Sequence, residues 1–175
     1  MTSSGKSSPG PSGHPPPQAG EGKISWRWFS WRELDPDTLY AFLKLRSDIF
    51  VVEQDCVFPE MDGIDARCEH LCGTNGAGRL LAYLRLLPPG LKSAEPAIGR
   101  LVVAADVRKT GLGRAAMLEG LRRCQARYPG QPIFLSAQRH LEDFYAALGF
   151  DTVSEPYLED GILHLNMLYS DSRRT

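Results

Sequence analysis

A short basic and glycine-rich segment offers the most definite chemistry in this sequence, and it runs Arg108-Lys109-Thr110-Gly111-Leu112-Gly113. Its two glycines let backbone amides approach a ligand closely. The residues from 112 to 127 have the composition of a helix, whose first N–H groups are unpaired and lie at the positive end of the helix dipole. With the cations Arg108 and Lys109 beside them, these amides predict a site for a phosphate or pyrophosphate.

Two familiar nucleotide motifs do not fit this segment. Residues 111–116 match the dinucleotide pattern G-x-G-x-x-A, but residues 104–110 separate them from the strand predicted at 98–103. The next predicted strand, 132–137, lacks the acidic residue that binds the ribose at its end. No Gly-Lys-Ser/Thr follows, which excludes a P-loop. A tight loop whose glycines only allow close helix packing is the simplest alternative.

Length and charge limit the classes of protein that come into question. The chain has 175 residues and a formal charge of −1, from 20 basic and 21 acidic residues. This suits one domain plus a tail, and the near-neutral charge argues against nucleic acid as a partner. Residues 1–23 are mostly glycine, proline and serine and predict a disordered tail, so the single domain is expected at 24–170. No apolar run is long enough to span a membrane, and a cytoplasmic protein is expected.

Hydrophobic spacing and turn residues predict the order β-α-β-β-β-α-β-α-β-β. Asp35 and Pro36 mark the start of the first helix, and an Asn75-Gly76 turn joins the second and third strands. The end of the chain predicts two strands, at 152–153 and 162–168, around Asp160-Gly161. This order implies a mixed sheet with helices on its faces.

Spaced residues along the folded part resemble the GNAT superfamily of acyl-CoA-dependent N-acetyltransferases. Over residues 24–169 these are Val103, Arg108-x-x-Gly111-x-Gly113 and Phe144-Tyr145-x-x-Leu148-Gly149-Phe150. The ElaA-like branch is resembled at Phe50-Val51-Val52-Glu53-Gln54, Asp62-Gly63-x-Asp65, His70 and Glu159-Asp160-Gly161-Ile162. The sequence departs from the family at two positions: Lys109 stands where many members have glycine, and Gln138 where many have asparagine.

The resemblance implies an α/β (α+β) fold with a mixed, mostly antiparallel sheet that is splayed at a cofactor cleft and has helices on both faces. Acetyl-CoA would lie as co-substrate between strands 98–103 and 132–137, with no metal. The implied cofactor-binding residues are Leu101, Val102, Val103, Arg108, Lys109, Thr110, Gly111, Leu112, Gly113, Arg114 and Gln138.

The resemblance also implies the catalytic groups. Tyr145 would donate a proton to the departing thiolate, although an aromatic residue on a helix can simply be packed. An amine acceptor is mostly protonated at neutral pH, so a base is also required. The candidates are Glu53, His70, Glu155 and His164, and Glu53 is favoured because it ends the first helix, which borders the acceptor side in GNAT folds.

The remaining polar residues leave two questions open. Arg85 lies in an apolar strand, where it either pairs with Asp62 or Asp65 or faces the cleft to bind an acidic acceptor. The four cysteines, Cys56, Cys68, Cys72 and Cys124, are expected to be reduced strand or loop residues rather than metal ligands.

The predicted function is therefore transfer of an acetyl group from acetyl-CoA directly to an amine of a small molecule or a protein. One alternative is a non-catalytic acyl-CoA sensor that keeps the phosphate cradle without turnover. Another is a scaffold in which the proline-rich tail is the functional part. The C-terminal strands could also pair between two subunits in a homodimer.

Overall fold

A computed structural model describes residues 23–170, so the predicted tail lies, except for Lys23, outside the described residues. The strands are β1 Ser25–Ser30, β2 Glu69–Thr74, β3 Leu80–Leu87, β4 Ala97–Val103, β5 Ile133–Gln138, β6 Phe150–Thr152, β7 Tyr157–Glu159 and β8 Ile162–Tyr169. The helices are α1 Pro36–Ser47, α2 Leu112–Arg127 and α3 Glu142–Ala146. All eight strands form one sheet in the order β1-β2-β3-β4-β5-β8-β6, and β7 also pairs with β8.

The sheet is split where β4 meets β5. Every other neighbouring pair of strands is antiparallel, whereas β4 and β5 are parallel and are paired only at Ala97 and Phe134, near the start of each strand. Beyond that pair of residues, β4 and β5, both within the described part of the chain, are not paired with each other. This confirms the mixed, mostly antiparallel sheet that the sequence implied, with a cleft between two central strands.

Helices cover both faces of the sheet, as alternate side chains of β3 show. Tyr83 packs in an apolar cluster with Phe42 of α1, whereas Leu84 packs with Met117 and Leu121 of α2. Successive residues of a strand point to opposite faces, so α1 and α2 lie on opposite sides. Tyr145 of α3 belongs to the same cluster as α2.

The first helix begins as predicted but ends differently. The Asp35 carboxylate accepts a hydrogen bond from the Thr38 amide at 2.8 Å, and Pro36 occupies the first helical position. The helix then widens into a π-helical segment, Asp48–Glu53, in which the Gln54 amide donates to the Ile49 carbonyl at 3.2 Å. Such wide turns occur often at functional sites, and this one brings Phe50 and Glu53 to the cleft.

Two turns differ in detail from the prediction. The turn predicted at Asn75-Gly76 joins β2 and β3 through five residues, and the Asn75 side chain accepts hydrogen bonds from the amides of Ala77 and Arg79 within it. The end of the chain has three strands instead of two. Asp160 and Gly161, with φ of 50° and 80°, form the tight turn between β7 and β8.

The C-terminal strand is not a free edge. β8 has β5 on one side and the short strands β6 and β7 on the other.

All four cysteines are free, buried thiols. Between residues 23 and 170 there is no helix with the length and apolar character needed to cross a bilayer, and no group of three or more His, Cys, Asp or Glu side chains placed to hold a metal ion.

Candidate active site

Two cavities meet at the split in the sheet. The larger, of 650 Å³, lies between β4, β5, the start of α2 and α3. The smaller, of 320 Å³, lies between the loop that follows the π-helical segment and the β7–β8 hairpin. Their shared walls are formed by Phe50, Gln54, Ile98, Gly99, Arg100, Ser136, Gln138 and His164. The arrangement suits two reactants that enter from different sides and meet between the strands.

The start of α2 forms a cradle at one end of the larger cavity. Lys109 and Gly111 both have left-handed backbone conformations, with φ of 64° and 87°, and these turn the loop sharply into the helix. The Ala115 amide donates to the Gly111 carbonyl at 3.0 Å. The amides of the preceding helical residues have no carbonyl one turn before them within the helix. They are therefore suited to bind an anion.

The predicted cofactor residues collect around this cavity with two exceptions. Those that line it are Leu101, Val102, Val103, Arg108, Lys109, Gly111, Gly113, Arg114 and Gln138. Thr110 instead closes the loop, because its hydroxyl donates to the Val107 carbonyl at 2.7 Å. The Leu112 side chain is buried in an apolar cluster with Leu81 and Ala104.

Glu53 and Arg108 lie opposite each other across the mouth of the larger cavity and form an ion pair. The two Nη atoms of Arg108 donate to the two Glu53 carboxylate oxygens at 2.6 and 2.8 Å, and Arg108 Nε donates to the Val103 carbonyl at 3.2 Å. These hydrogen bonds from Arg108 lower the pKa of Glu53. The pair makes the Glu53 carboxylate a weaker base than a free glutamate.

Tyr145 both packs in the core and borders the larger cavity. Its ring lies edge-on to Phe144 and Phe150, with centroids 5.0 and 6.0 Å apart. Burial raises the pKa of Tyr145 to about 12, so the phenol keeps its proton at neutral pH. Within the described part of the chain its hydroxyl has no hydrogen-bond partner. The group is thus a proton donor facing a cavity.

The other candidate bases differ sharply in their surroundings. His70 is fully buried, with Nδ1 2.7 Å from the Tyr83 hydroxyl and Nε2 3.0 Å from the Asp65 carbonyl, and burial lowers its pKa. Glu155 is exposed and lines neither cavity. His164 lines both cavities.

The hydrogen bond of His164 indicates which ring nitrogen is available. Its Nδ1 lies 2.9 Å from the Ile162 carbonyl oxygen. A carbonyl only accepts hydrogen bonds, so Nδ1 carries the proton in this contact. The neutral ring then has a free lone pair on Nε2. Among the described residues, His164 is the candidate whose basic atom is uncommitted at the junction of the two cavities.

Gln138 is joined to the loop that follows the π-helical segment. Its side-chain amide donates to Gln54 Oε1 at 3.0 Å, and Gln54 Nε2 donates back at 3.5 Å. Both side chains border both cavities. This amide pair therefore links β5 to the loop that follows the π-helical segment, across the split in the sheet.

Arg85 has ion-pair partners, which decides between its two predicted environments. It donates to both Asp62 oxygens, at 2.8 and 2.6 Å, and to Asp65 at 2.7 Å. Burial alone would raise the pKa of Asp62, but the hydrogen bonds and charge of Arg85 outweigh it and hold that pKa at about 2. Arg85 borders the smaller cavity but is committed to these carboxylates.

Arg100 is a site residue that the sequence did not indicate. It has φ of 54° inside β4, where the register with β3 is interrupted, and its side chain borders both cavities. The guanidinium binds Glu60 at 2.9 Å and Asp62 at 3.3 Å. No local sequence pattern predicts an arginine with a left-handed backbone inside a strand, since this conformation normally favours glycine or asparagine.

Comparison with known proteins agrees with this geometry. The profile of the acetyltransferase (GNAT) domain family matches residues 68–170. The chain is 42% identical over 138 residues to a UPF0039 protein of Schizosaccharomyces pombe, covering 78% of this chain and 91% of that protein. It is 38% identical over 146 residues to protein ElaA of Escherichia coli, covering 82% and 95%.

Solved structures show the same relation. A crystal structure of an acyl-CoA N-acyltransferase from Pseudomonas aeruginosa superposes with a TM-score of 0.80 at 39% identity, covering 85% of this chain and 100% of that one. The crystal structure of Escherichia coli ElaA gives a TM-score of 0.79 at 36% identity, with the same coverage. The chain therefore belongs to the GNAT family of acyltransferases, in the group that contains ElaA and the UPF0039 proteins.

Proposed function

We propose that this protein is an acetyl-CoA-dependent N-acetyltransferase that moves the acetyl group directly to an amine. One observation carries the proposal. An anion cradle at the start of α2, the unpaired edge of β4 and the protonated hydroxyl of Tyr145 all border the same cavity. A CoA thioester needs each of these groups: a phosphate site, a polar backbone edge and a proton for its leaving thiolate.

The donor would be held by backbone groups and cations. The first amides of α2, with Lys109 and Arg108, suit the pyrophosphate. The edge of β4 from Leu101 to Val103 has no strand partner on the β5 side, so its N–H and C=O groups suit the pantetheine amides. A β4 amide aimed at the thioester oxygen would stabilise the negative charge that develops there.

For the base we propose His164 in place of Glu53. Glu53 is held in an ion pair by Arg108, whereas His164 lines both cavities and its Nε2 has no hydrogen-bond partner among the described residues. As the amine nitrogen attacks the thioester carbon, a C–N bond forms and the C–S bond breaks. His164 Nε2 takes the proton from nitrogen, and Tyr145 gives one to sulfur.

The variant Tyr145→Phe tests the proposed acid. We expect kcat for acetyl-CoA-dependent CoA release with a panel of primary amines to fall about 10²-fold, because a positioned general acid contributes on this order. Acetyl-CoA affinity should be unchanged, since the ring still fills its place. The matched control is Tyr128→Phe, which lines neither cavity.

The alternatives give different results in the same assay. An unchanged kcat for Tyr145→Phe would remove the tyrosine from the mechanism. Tight acetyl-CoA binding by the natural protein, with no CoA release in the presence of any amine of the panel, would favour the non-catalytic sensor.

A further inference from the structure

The smaller cavity has both apolar and charged or polar walls. Phe50, Phe58 and Phe134 line it, together with Leu87 and Ile162. At the end shared with the larger cavity lie Ser136 and His164. Its volume of 320 Å³ is at the lower end of the range for small-molecule sites. A molecule that carries both an apolar and a charged group matches this mixed lining.

The charged side chains around the cavity differ in how closely they are paired with a group of opposite charge. Arg85 is held by Asp62 and Asp65, and Arg100 by Glu60 and Asp62. Glu159 on the hairpin has only a distant cation, Lys92, with Nζ 3.9 Å from its Oε1. The neighbouring Asp160 carboxylate makes no hydrogen bond or ion pair to any described residue, and it also lines the cavity.

Glu159 is tied to the end shared with the larger cavity by a short hydrogen-bonded chain. The Ser136 hydroxyl donates to Glu159 Oε2 at 3.2 Å and lies 2.6 Å from the Tyr157 hydroxyl. Tyr157 in turn donates to Asn166 Oδ1 at 2.8 Å and stacks on the His164 ring. These contacts hold the Ser136 hydroxyl between the Glu159 carboxylate and the hydroxyl of Tyr157, whose ring stacks on the proposed base.

From this arrangement we propose that the smaller cavity is the acceptor site and takes a primary amine carried on an aromatic or similarly apolar body. Glu159 and Ser136 hold the amino group, and the three phenylalanines hold the body. The inference, which rests on the proposed function, makes Glu159 a specificity residue that contacts the substrate. The amine binds as an ammonium and loses one proton to solvent before it attacks, and His164 receives the second proton as the C–N bond forms.

The main rival is an acceptor that also carries a carboxylate, such as a free amino acid. Lys92 or Arg100 would then have to bind that group. Arg100 already contacts two carboxylates, and its Cζ atom lies 5.9 and 5.8 Å from the ring centroids of Phe50 and Phe58. Lys92 is then the cation left to bind the carboxylate of such an acceptor. The two classes are separated by 2-phenylethylamine and phenylalanine, which differ by one carboxylate.

The experiment measures steady-state acetylation of both compounds by the full chain, together with binding of each compound by ligand-observed NMR. We expect 2-phenylethylamine to have at least a tenfold higher kcat/KM than phenylalanine. In Glu159→Gln, KM for 2-phenylethylamine should rise at least tenfold. The value of kcat and the KM for acetyl-CoA should each stay within about threefold of those of the natural protein. The control Glu155→Gln, on an exposed residue of the same segment, should match the natural protein.

The outcomes separate this inference from the proposed function. A preference for phenylalanine, or a Glu159→Gln variant with an unchanged KM for the amine, would overturn the inference. Binding of acetyl-CoA with neither binding nor acetylation of 2-phenylethylamine would also overturn it and leave the donor assignment standing. If the protein fails to bind acetyl-CoA but still binds 2-phenylethylamine, the proposed function is overturned, while the smaller cavity remains assigned as an amine-binding site.

Discussion

Arg108 is the residue whose role depends most on its partner. The cofactor motif places it beside the cradle, and the structure pairs it with Glu53 through two hydrogen bonds. A pyrophosphate would therefore have to compete with the Glu53 carboxylate. The motif indicated Arg108 and Tyr145 from local spacing, whereas the ion pair joins residues 55 positions apart and depends on the tertiary fold. The His164 hydrogen bond that leaves Nε2 free is local by contrast, because it reaches the Ile162 carbonyl only two positions away.

Removing this competitor should strengthen CoA binding. In Glu53→Gln we expect the Kd for CoA to fall about two- to fivefold, because an exposed ion pair is worth about 0.2–1 kcal/mol. The gain should shrink as salt is raised. Calorimetric titration measures it, with Glu155→Gln as control. A weaker affinity for CoA in Glu53→Gln would mean that Glu53 positions Arg108 for the cofactor instead of blocking it.

The loop into α2 is the element on which the proposed cofactor site depends. Gly111 has φ of 87°, a conformation that side chains with a Cβ rarely adopt. Gly113 is helical, and a Cβ there would meet Val103 Cγ2 at 3.6 Å, an ordinary contact. The two glycines of the motif thus have different reasons to be glycine, which a pattern of letters does not distinguish.

Alanine substitutions should separate the two positions. We expect Gly111→Ala to lower the free energy of unfolding by about 1 kcal/mol and to weaken CoA binding, because the loop must adjust to a right-handed conformation. Gly113→Ala should be neutral or slightly stabilising, since alanine favours the helix. Urea unfolding and CoA titration of both variants measure this. Equal effects at the two positions would contradict it.

The long elements and the short helix α3 were predictable, whereas strand β7 and the π-helical segment were not. The capped start of α1, the apolar strand β4 and the helix α2 each have several residues of consistent pattern. Strand β7 has three residues and is held by its pairing with β8, so its own sequence carries little information. The π-helical segment likewise arises from its tertiary surroundings.

At the scale of the whole molecule, a buried ionic network holds the loop that carries Glu60, Asp62 and Asp65 against α1 and the sheet. Arg46 is fully buried and binds Glu60 at 2.7 Å and Asp65 at 2.8 Å, and Arg85 binds Asp65 and Asp62. Removing one member of such a network leaves the others buried without a counter-charge, which is costly. The network therefore couples the shape of the smaller cavity to the stability of the fold.

The network should make the protein acid-sensitive. The pKa of Asp62 falls from 3.8 to about 2 on folding, so the unfolded chain binds this proton more readily, and the stabilisation is lost as pH falls from about 4 towards 2. In Arg85→Met only Arg100 and the Ile64 amide would still lower the pKa of Asp62 against its burial, so this dependence should become weaker. Urea unfolding at pH 3 to 6 measures the slope of the free energy of unfolding against pH. The control is Arg79→Met, which removes an exposed ion pair instead. Equal slopes in all three proteins would contradict the network's role.

The central claim, that the split in the sheet is a binding cleft for acetyl-CoA, is tested most directly by calorimetric titration of the purified protein. Acetyl-CoA and CoA are the ligands, and NADH is the control with a pyrophosphate but no pantetheine. We predict micromolar binding of both CoA ligands at one site per chain and no comparable binding of NADH. Folded protein that binds neither CoA ligand, or that binds NADH equally well, would contradict the claim.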